Sequence, residues 1–425
     1  MPNRVPCNPQ QPRLFDDVRG AGSSSLTEYS HGLWHGGDAS ERPPCDPRLL
    51  AAFAAELARV DGPGPRVDAA IESLVRHRVL ATKIHVCPAN GPVFLAADYL
   101  LVPARPRDAV IIVGAWSGQP FNGNARPDRL EFGLDPEALI RPATPTWTRF
   151  LRSRRDRARA RAGADESGQH WLPLVGSRHQ HALVYRHPIV PELTRLLADL
   201  RPELAQLLAD PDRCDDYPTW ALRSCVALER AALAEPAIVY VDLNRVLARY
   251  LADALGDDRH PLCELLREPM LGDAVGGPWF FARDESGHAR PLWLVDAELR
   301  DRRGRTRIPA AAIADELERG HLCPGLFPTY SALIVFGGLR CLGGQRQLEY
   351  LERFARCWRA LGWTFADEGD PLLAGKLTDA DGRPIHAVDL ALRGETVADH
   401  FHPAQTVATL WRNSPRIAST CAGSS

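Results

Sequence analysis

A glycine-rich turn between an apolar run and an amphipathic helix is the first feature of this chain that could bind a ligand. The run Ser331–Phe336 has the length of a buried strand, four glycines follow it, and helical spacing of apolar residues begins at Gln345. A strand that leads into a helix through glycines directs free N–H groups and the positive end of the helix dipole at the turn. The backbone amides of Gly343, Gly344, Gln345 and Arg346 are therefore predicted to hold an anionic group. An ordinary tight turn in an α/β sheet is the alternative.

A second candidate binding loop follows the apolar run Ala109–Trp116, which has the pattern of a central strand covered on both faces. Its hydrogen-bonding side chains and its arginine are Ser117, Gln119, Asn122, Asn124 and Arg126. Ligands of open α/β sheets bind outside the carboxyl ends of the strands, so this loop and the glycine-rich turn are expected to converge on one crevice. The polar side chains would orient an acceptor there, and the guanidinium of Arg126 would hold a carboxylate or phosphate. A long surface turn is the alternative.

Two histidines supply the candidate general base. His179 and His181 lie two residues apart, and therefore on one face if their segment is a strand. Because histidine titrates near neutral pH, one of them is predicted to accept the proton of the reacting group. A metal site is the alternative, but no third ligand is evident and the chain contains no HExxH motif.

No standard nucleophile signature accompanies these histidines, because the chain contains no GxSxG and no SxxK motif. Its ten cysteines are scattered without a CxxC pair, which argues against a zinc ribbon or a disulfide framework. Cys341 lies inside the glycine-rich turn, where a nearby helix N-terminus would activate its thiol. A buried, unreactive side chain is the preferred interpretation of Cys341.

Composition excludes several classes of protein. The chain has 425 residues, of which 45% are hydrophobic and 24% are charged, and its formal net charge is −2. This balance argues against a general nucleic-acid binder or a membrane-surface binder. The N-terminus lacks an apolar signal region, and no run approaches the ~20 apolar residues of a membrane helix, so a cytoplasmic location is expected. Lys83 and Lys376 are the only lysines, which leaves few candidates for a lysine nucleophile.

The elements that would position these residues alternate between strands and helices. Asp46 is the predicted N-cap of the first helix. Helices are predicted at residues 46–60, 67–78, 191–208, 220–234, 244–255 and 308–318, and from 345 onward. Strands are predicted at residues 92–102, 109–116, 237–241 and 331–336, with one or two strands within 171–185 and a two-stranded element over 279–299 around a turn at 284–287. The alternation predicts an α/β fold with a doubly wound, mainly parallel, Rossmann-like sheet.

Three regions follow from the composition along the chain. Residues 1–45, rich in Pro, Gly, Ser and Asn, are expected to form a flexible or draped irregular arm. Residues 46–365 form the predicted core, as one unit or two subdomains, and residues 366–425 a small C-terminal extension. The arginine-rich segment 152–161 is interpreted as a solvated helix face, with contact to an anion or a partner as the alternative.

Part of the chain resembles a known family. Residues Leu292–Leu361 are similar to the cysteine-adding enzymes of bacillithiol biosynthesis. Together with a second match in the loop Ser117–Pro120, the resemblance covers about a quarter of the chain. The stretch Gly343–Tyr350 stands where that family has a Gly-Gly-Pro-Gly-Glu-x-x-Tyr turn, and Ser117–Pro120 resembles its Thr-Gly-Gln-Gln-Pro loop. The family's Glu-Asp-His-Asp segment would be replaced by Arg178–His181, and its C-terminal coiled coil is missing. The resemblance implies a Rossmann-like scaffold with a crevice for a small polar metabolite, and it adds Tyr350 to the candidate binding residues.

Together these features predict a ligase- or transferase-like enzyme of thiol or specialised-metabolite biosynthesis. It would join or transfer an amino acid or a similar carboxylate onto an amine or sugar-like acceptor, with ATP or ADP as the candidate nucleotide. The expected partner is a small-molecule substrate, without nucleic acid or membrane, and the oligomeric state stays open. One alternative is a non-catalytic binding or accessory protein on the same scaffold. Another is a nucleotidyl or glycosyl transferase, for which Asp242 is a candidate metal ligand.

Overall fold

The computed structural model describes fourteen stretches of the chain. They are residues 22–35, 44–83, 86, 91–117, 129–132, 170–173, 202, 217–267, 274–283, 289–344, 346–363, 365, 377–379 and 384–411. Within these stretches, no helix combines the length and the apolar character needed to cross a membrane. The predicted helix at 191–208 and the arginine-rich segment 152–161 lie outside the described residues, apart from residue 202.

Four short strands form a parallel sheet, in agreement with the predicted α/β class. They are β1 (Val79–Lys83), β2 (Ile111–Ala115), β5 (Ile238–Asp242) and β11 (Arg340–Leu342), in the spatial order β11-β1-β2-β5. The chain steps from β1 to β2 to β5 and then returns to place β11 on the other side of β1. Because all neighbours are parallel, the carboxyl ends of the four strands share one edge of the sheet.

The remaining strands among the described residues pair antiparallel. A five-stranded sheet has the order β10-β6-β7-β8-β9, and β3 pairs with β4 in a separate two-stranded sheet. The bounds are β3 (Arg129–Phe132), β4 (His170–Pro173), β6 (Phe280–Arg283), β7 (Ala289–Val295), β8 (Glu298–Arg300), β9 (Arg307–Pro309) and β10 (Leu322–Pro324). The antiparallel pair of β6 and β7 confirms the two-stranded element predicted over residues 279–299.

Helices surround the parallel sheet. They are α1 (Leu26–His35), α2 (Pro47–Asp61), α3 (Pro65–His77), α4 (Pro92–Tyr99), α5 (Tyr217–Leu233), α6 (Leu243–Leu255), α7 (Leu262–Arg267), α8 (Ile313–Glu318), α9 (Leu326–Tyr330), α10 (Arg346–Ala360), α11 (Ala387–Arg393) and α12 (Ala408–Trp411). The side chain of Asp46 accepts a hydrogen bond from the Arg48 amide, which confirms it as the N-cap of α2. Asp242 caps α6 in the same way, through the Asn244 amide.

Side-chain alternation along the strands divides the core in two. Ile111 and Val113 of β2 pack into one buried cluster, with residues of α1, α4, α5 and α11. Ile112, between them, packs into a second cluster with residues of α2, α3 and α6. Both faces of the sheet are therefore covered by helices, which explains why its central strands are uninterrupted apolar runs.

Two apolar runs predicted as strands are helical. Residues 92–102 contain α4, which begins with Pro92 after Gly91, a favourable helix start, and six of its eight residues are buried. Ser331–Phe336 forms a π-helix that continues from α9, and the strand follows later, at β11. A short apolar run that is buried on every side has no periodicity with which to tell a strand from a helix, so both predictions were wrong for the same reason.

The N-terminal arm is not wholly irregular. Within residues 1–45 the chain forms α1, whose Leu26, Leu33 and Trp34 are buried. The Leu26 amide donates to the Gln405 carbonyl at 2.8 Å, so α1 is anchored by residues almost four hundred positions away. Composition could not predict this contact, because the partner lies at the other end of the chain. The helix predicted at 308–318 also begins later than expected, at Ile313, after β9 and a 3-10 turn over Ala310–Ala312.

Candidate functional site

A cleft of about 720 Å³ opens where β2 and β5 end at the carboxyl edge of the parallel sheet. Its polar lining is dominated by guanidinium groups and comes from α2, the end of β2, α6, β6 and the end of α8. The charged and polar lining residues are Arg48, Ser117, Asn244, Arg245, Arg249, Asp253, Arg283 and Glu318. We call this feature the arginine cleft. Its position is the one at which open α/β sheets bind ligands.

The buried carboxylate of Asp242 organises the base of the arginine cleft. Asp242 is the last residue of β5 and is 0% exposed. It accepts hydrogen bonds from the Ser117 hydroxyl at 2.5 Å, from the Ser117 amide at 3.1 Å and from the Asn244 amide at 3.0 Å. A carboxylate at this position also interacts favourably with the N-terminus of α6. Asp242 therefore fixes the end of β2 against the start of α6.

A second buried carboxyl group lies next to Asp242. Glu56 of α2 accepts a hydrogen bond from the Asp242 amide at 3.2 Å and forms an ion pair with Arg59 at 2.7 Å. Burial raises the pKa of the Glu56 carboxyl, and the Asp242 carboxylate raises it further, against the effect of Arg59. Neither of these two carboxyl groups lines the arginine cleft.

Three polar atoms of the lining are buried without a hydrogen-bond partner among the described residues. The first two are guanidinium nitrogens, Nη1 of Arg48 and Nη2 of Arg283, and the third is the side-chain oxygen of Asn244. Arg48 uses its other terminal nitrogen for Asp257 at 2.8 Å, and the Nε of Arg283 donates to the Cys323 sulfur at 2.7 Å. An unpaired buried polar group costs about 1–3 kcal/mol, so these three atoms are unfavourable for the stability of the fold. The four arginines of the lining, Arg48, Arg245, Arg249 and Arg283, suit a ligand that carries an oxyanion.

Two arginines on the cleft-facing side of α6 have the spacing of residues that share a helix face. Arg245 and Arg249 lie four residues apart, and the small residues Ala248 and Ala252 line the same wall. Residues four apart share a helix face, so this pair of arginines could have been identified from the sequence. Arg48 and Arg283, by contrast, join them from distant segments and carry no local signal.

The glycine-rich turn lies at the same edge of the sheet, but its described residues do not line the arginine cleft. Gly343 follows β11, and a Cβ atom there would lie 2.5 Å from the side chain of Gln347, whereas nothing lies within 4 Å of the same position at Gly344. Gln347 fills that space and donates to the Thr82 hydroxyl at 2.9 Å and to the Tyr330 hydroxyl at 2.7 Å. The absence of a side chain at Gly343 thus serves internal packing.

Tyr350, the residue added by the family resemblance, belongs to the same internal network. Its hydroxyl lies 3.0 Å from the Tyr330 hydroxyl, which in turn lies 3.4 Å from the Thr82 hydroxyl. Burial raises the pKa of Tyr330 to about 12 and raises the pKa of Tyr350 well above its usual range. Both phenols are therefore neutral at physiological pH.

The other sequence-predicted site residues divide into two groups. Ser117 lines the arginine cleft, and Arg346 is the first residue of α10. Gln119, Asn122, Asn124, Arg126, His179, His181 and Gln345 lie outside the described residues. Their predicted roles, and the predicted convergence of the two loops, therefore stay predictions.

Two further candidates have structural roles. The Cys341 thiol is buried and burial raises its pKa, which favours the interpretation as an unreactive side chain. The Asp242 carboxylate accepts hydrogen bonds from the Ser117 hydroxyl and from the Asn244 amide, which is its role in the fold, and its role as a metal ligand of a transferase stays a prediction. In the part of the chain described by the structure, no group of three or more His, Cys, Asp or Glu residues is arranged to hold a metal ion.

No protein-family model matches the chain, and no curated protein shows significant sequence similarity to it.

Proposed function

We propose that this protein is an enzyme of small-molecule biosynthesis that binds a carboxylate substrate in the arginine cleft. In this proposal it joins or transfers an amino acid or a similar carboxylate onto an amine or sugar-like acceptor, as a ligase- or transferase-like enzyme. The observation that carries the proposal is the set of four arginines that line one cleft at the carboxyl edge of a parallel sheet, namely Arg48, Arg245, Arg249 and Arg283. A guanidinium with free N–H groups pairs with a carboxylate in a bidentate manner.

The remaining lining suits an amine or hydroxyl beside that carboxylate. The side-chain amide of Asn244, a lining residue, is of a type that hydrogen-bonds to either group. The carboxylates of Asp253 and Glu318, which are exposed at the cleft, attract an ammonium group. Hydrogen-bond acceptors and arginines line the same cleft. A ligand that carries both a carboxylate and an amine or hydroxyl would therefore pair with more of the lining than a simple anion.

The proposal also covers the type of sheet, the family relation, the nucleotide and the cellular location. A Rossmann-like, doubly wound sheet is supported by the parallel strand order and by helices on both faces. A relation to the cysteine-adding enzymes of bacillithiol biosynthesis rests on the residues 292–361 and 117–120, and ATP or ADP is the proposed nucleotide. A cytoplasmic location is supported by six described cysteines that are all free thiols, at positions 45, 225, 263, 323, 341 and 357.

Ligand-dependent unfolding of the purified chain tests the proposal. Amino acids, hydroxy acids, ATP, ADP and UDP-sugars would be added with and without magnesium. A ligand at ~100 times its dissociation constant should add about 2.7 kcal/mol to the free energy of unfolding. Arg283→Ala should abolish the effect, while Arg303→Ala, at an exposed arginine outside the cleft, should preserve it.

Product analysis by mass spectrometry then separates an enzyme from a binding protein. An amino acid or hydroxy acid that stabilises the chain, together with an acceptor and ATP, should yield a condensed product in which the acceptor has gained the acyl group. ATP should be cleaved at the same time, to ADP and phosphate or to AMP and pyrophosphate, and the oxygen lost by the carboxylate leaves with the phosphate or with AMP. Stabilisation without any product would favour the non-catalytic binding protein. Equal stabilisation of the wild type and of Arg283→Ala, or no stabilisation by any compound, would remove the arginine cleft as the substrate site.

A further inference from the structure

Two histidines lie side by side on the exposed face of α1, outside the arginine cleft. His31 and His35 are four residues apart, and both are exposed. Their ring centroids are 4.4 Å apart, and the ring planes are inclined by 38°. We call these two residues the α1 histidine pair. Neither residue lines the arginine cleft, so the function proposed above does not use them.

The amphipathic pattern of α1 places the α1 histidine pair on its outer face. Residues four apart in a helix lie on the same face, one turn above the other. Leu33 and Trp34, between the two histidines, are 1% and 4% exposed and pack into the core. At Gly32, which is exposed, nothing lies within 4 Å of an added Cβ atom. The two imidazoles are therefore accessible to ions from solvent.

The backbone that carries the pair is held by other parts of the fold. The indole nitrogen of Trp34 donates to the Leu101 carbonyl at 2.9 Å. Nη1 of Arg340 donates to the carbonyls of Gly32 and Leu33, at 3.0 Å and 2.9 Å. These bonds fix the helical turn between the two histidines before any ligand binds. A site on a fixed turn loses little conformational entropy when it binds an ion.

The spacing of the α1 histidine pair is one at which two histidines bind a metal ion together. Imidazole nitrogens are the commonest metal ligands in proteins, and they bind zinc at about 2.0–2.1 Å. Two histidines at positions i and i+4 of a helix hold one ion in the zinc proteases with the HExxH motif. Nitrogen ligands of this type suit zinc, nickel and copper, whereas magnesium and calcium prefer oxygen. His35 is the last residue of α1, where the negative end of the helix dipole favours a cation.

We propose that His31 and His35 form a binding site for one divalent transition metal ion, such as Zn²⁺, Co²⁺ or Ni²⁺. One nitrogen of each imidazole binds the ion, and water occupies the remaining positions. The site has two protein ligands, so it is compatible with the finding that no larger group of metal-ligating residues exists among the described residues. The ion links adjacent turns of α1 and stabilises the helical form of residues 26–35.

The ion also strengthens the attachment of α1 to C-terminal residues. The Leu26 amide donates to the Gln405 carbonyl at 2.8 Å, and the Thr27 amide donates to the Pro403 carbonyl at 3.2 Å. Both donors belong to the first turn of α1, so an ion that stabilises the helix also stabilises these contacts. The site does not require a substrate in the arginine cleft, and its test is therefore independent of the proposed function.

Isothermal titration calorimetry of the full chain with the chlorides of zinc, cobalt and nickel tests the site. The wild-type chain should bind one ion that both His31→Ala and His35→Ala fail to bind. His402→Ala, at an exposed histidine outside α1, should retain that ion. Because the chain has 14 histidines and 10 cysteines, the site is identified by the difference between variants and not by the total number of ions bound.

Two further comparisons test the type of ligand and the spacing. Nickel should bind more tightly than cobalt, and an excess of magnesium or calcium should leave zinc binding unchanged. The double variant Gly32→His/His35→Ala keeps the number of histidines but places them at adjacent positions. Adjacent residues of a helix do not face each other, so this variant should lose the site as His35→Ala does.

A measurement on the wild-type chain alone tests the site without any variant. Saturating Zn²⁺ should protect His31 and His35 from modification by diethyl pyrocarbonate, as measured by peptide mass spectrometry, and should leave His402 reactive. It should also slow amide hydrogen exchange over residues 26–35. Unchanged modification of either histidine of the pair, unchanged exchange in α1, retention of the ion by either alanine variant, or full binding by Gly32→His/His35→Ala would overturn the proposal.

Discussion

The Ser117 hydroxyl donates a 2.5 Å hydrogen bond to the buried carboxylate of Asp242, and this contact joins the ends of two neighbouring parallel strands. Ser117 follows β2 and Asp242 ends β5, so the bond spans the base of the arginine cleft. Because the hydroxyl proton is committed to Asp242, the lone pairs of the serine oxygen stay available as acceptors. Asp242 thus positions both Ser117 and the first turn of α6.

Removing the Ser117 hydroxyl should therefore destabilise the protein. Ser117→Ala leaves an oxygen of a fully buried carboxylate without its shortest hydrogen bond, and we expect a loss of about 1–3 kcal/mol in the free energy of unfolding. The control is Ser224→Ala, because Ser224 is equally buried but its hydroxyl has no hydrogen-bond partner among the described residues. Urea unfolding of both variants measures the difference, and equal costs would contradict the role given to Asp242.

A methyl group at Gly114 should be poorly tolerated. A Cβ atom at this β2 residue would lie 2.5 Å from the side chain of Leu243, the first residue of α6. Gly114→Ala should therefore cost about 1–3 kcal/mol through overpacking. Combining it with Leu243→Ala should cost less than the sum of the two single changes, because the clash is then absent.

Gly32→Ala is the matched control for this experiment. Gly32 lies inside α1, and nothing lies within 4 Å of its added Cβ position. Alanine is a better helix former than glycine, so this variant should be more stable than the wild type by up to about 1 kcal/mol. Thermal unfolding of both glycine variants gives the comparison, and similar destabilisation at the two sites would contradict the packing argument.

The thiol of Cys341 should be inert in the folded protein. It is buried, and burial raises its pKa, so the nucleophilic thiolate is scarce at neutral pH. We expect iodoacetamide to leave Cys341 unmodified in the native chain and to modify it fully in urea, as measured by peptide mass spectrometry. Rapid labelling of Cys341 in the native chain would instead restore it as a reactive residue of the glycine-rich turn.

Tyr330 should contribute to loss of stability at alkaline pH. Burial raises its pKa to about 12 in the folded protein, whereas an unfolded tyrosine titrates near pH ~10. Between these values the folded state retains a proton that the unfolded state has lost, so stability falls as the pH rises above ~10. Tyr330→Phe should show a smaller fall between pH 9 and 11 in urea unfolding, and an unchanged fall would contradict the assignment.

Local patterns were sufficient for the elements whose own residues determine them. The apolar run that became β2, the strand β5 and the capped amphipathic helices α2 and α6 were all predictable, because hydrophobic spacing and an N-cap are properties of neighbouring residues. In the candidate site, Ser117 was predicted from its place after an apolar run. The spacing of four residues between Arg245 and Arg249 is also a property of the local sequence, so this pair could have been identified from it.

The remaining parts of the fold and of the candidate site were decided by contacts between distant segments. The run 92–102 was predicted wrongly because burial on nearly every side left it no periodicity with which to tell a helix from a strand. Residues 26–35 are held as α1 by C-terminal residues, which composition does not report. Arg48 and Arg283 reach the arginine cleft from α2 and β6. Lys83 of β1 meets buried carboxyl groups of α4 and α5, on Asp98 and Glu229. Sequence patterns report which face of a segment is apolar. Which segments meet, and therefore which charges face each other without water, depends on packing across the whole chain.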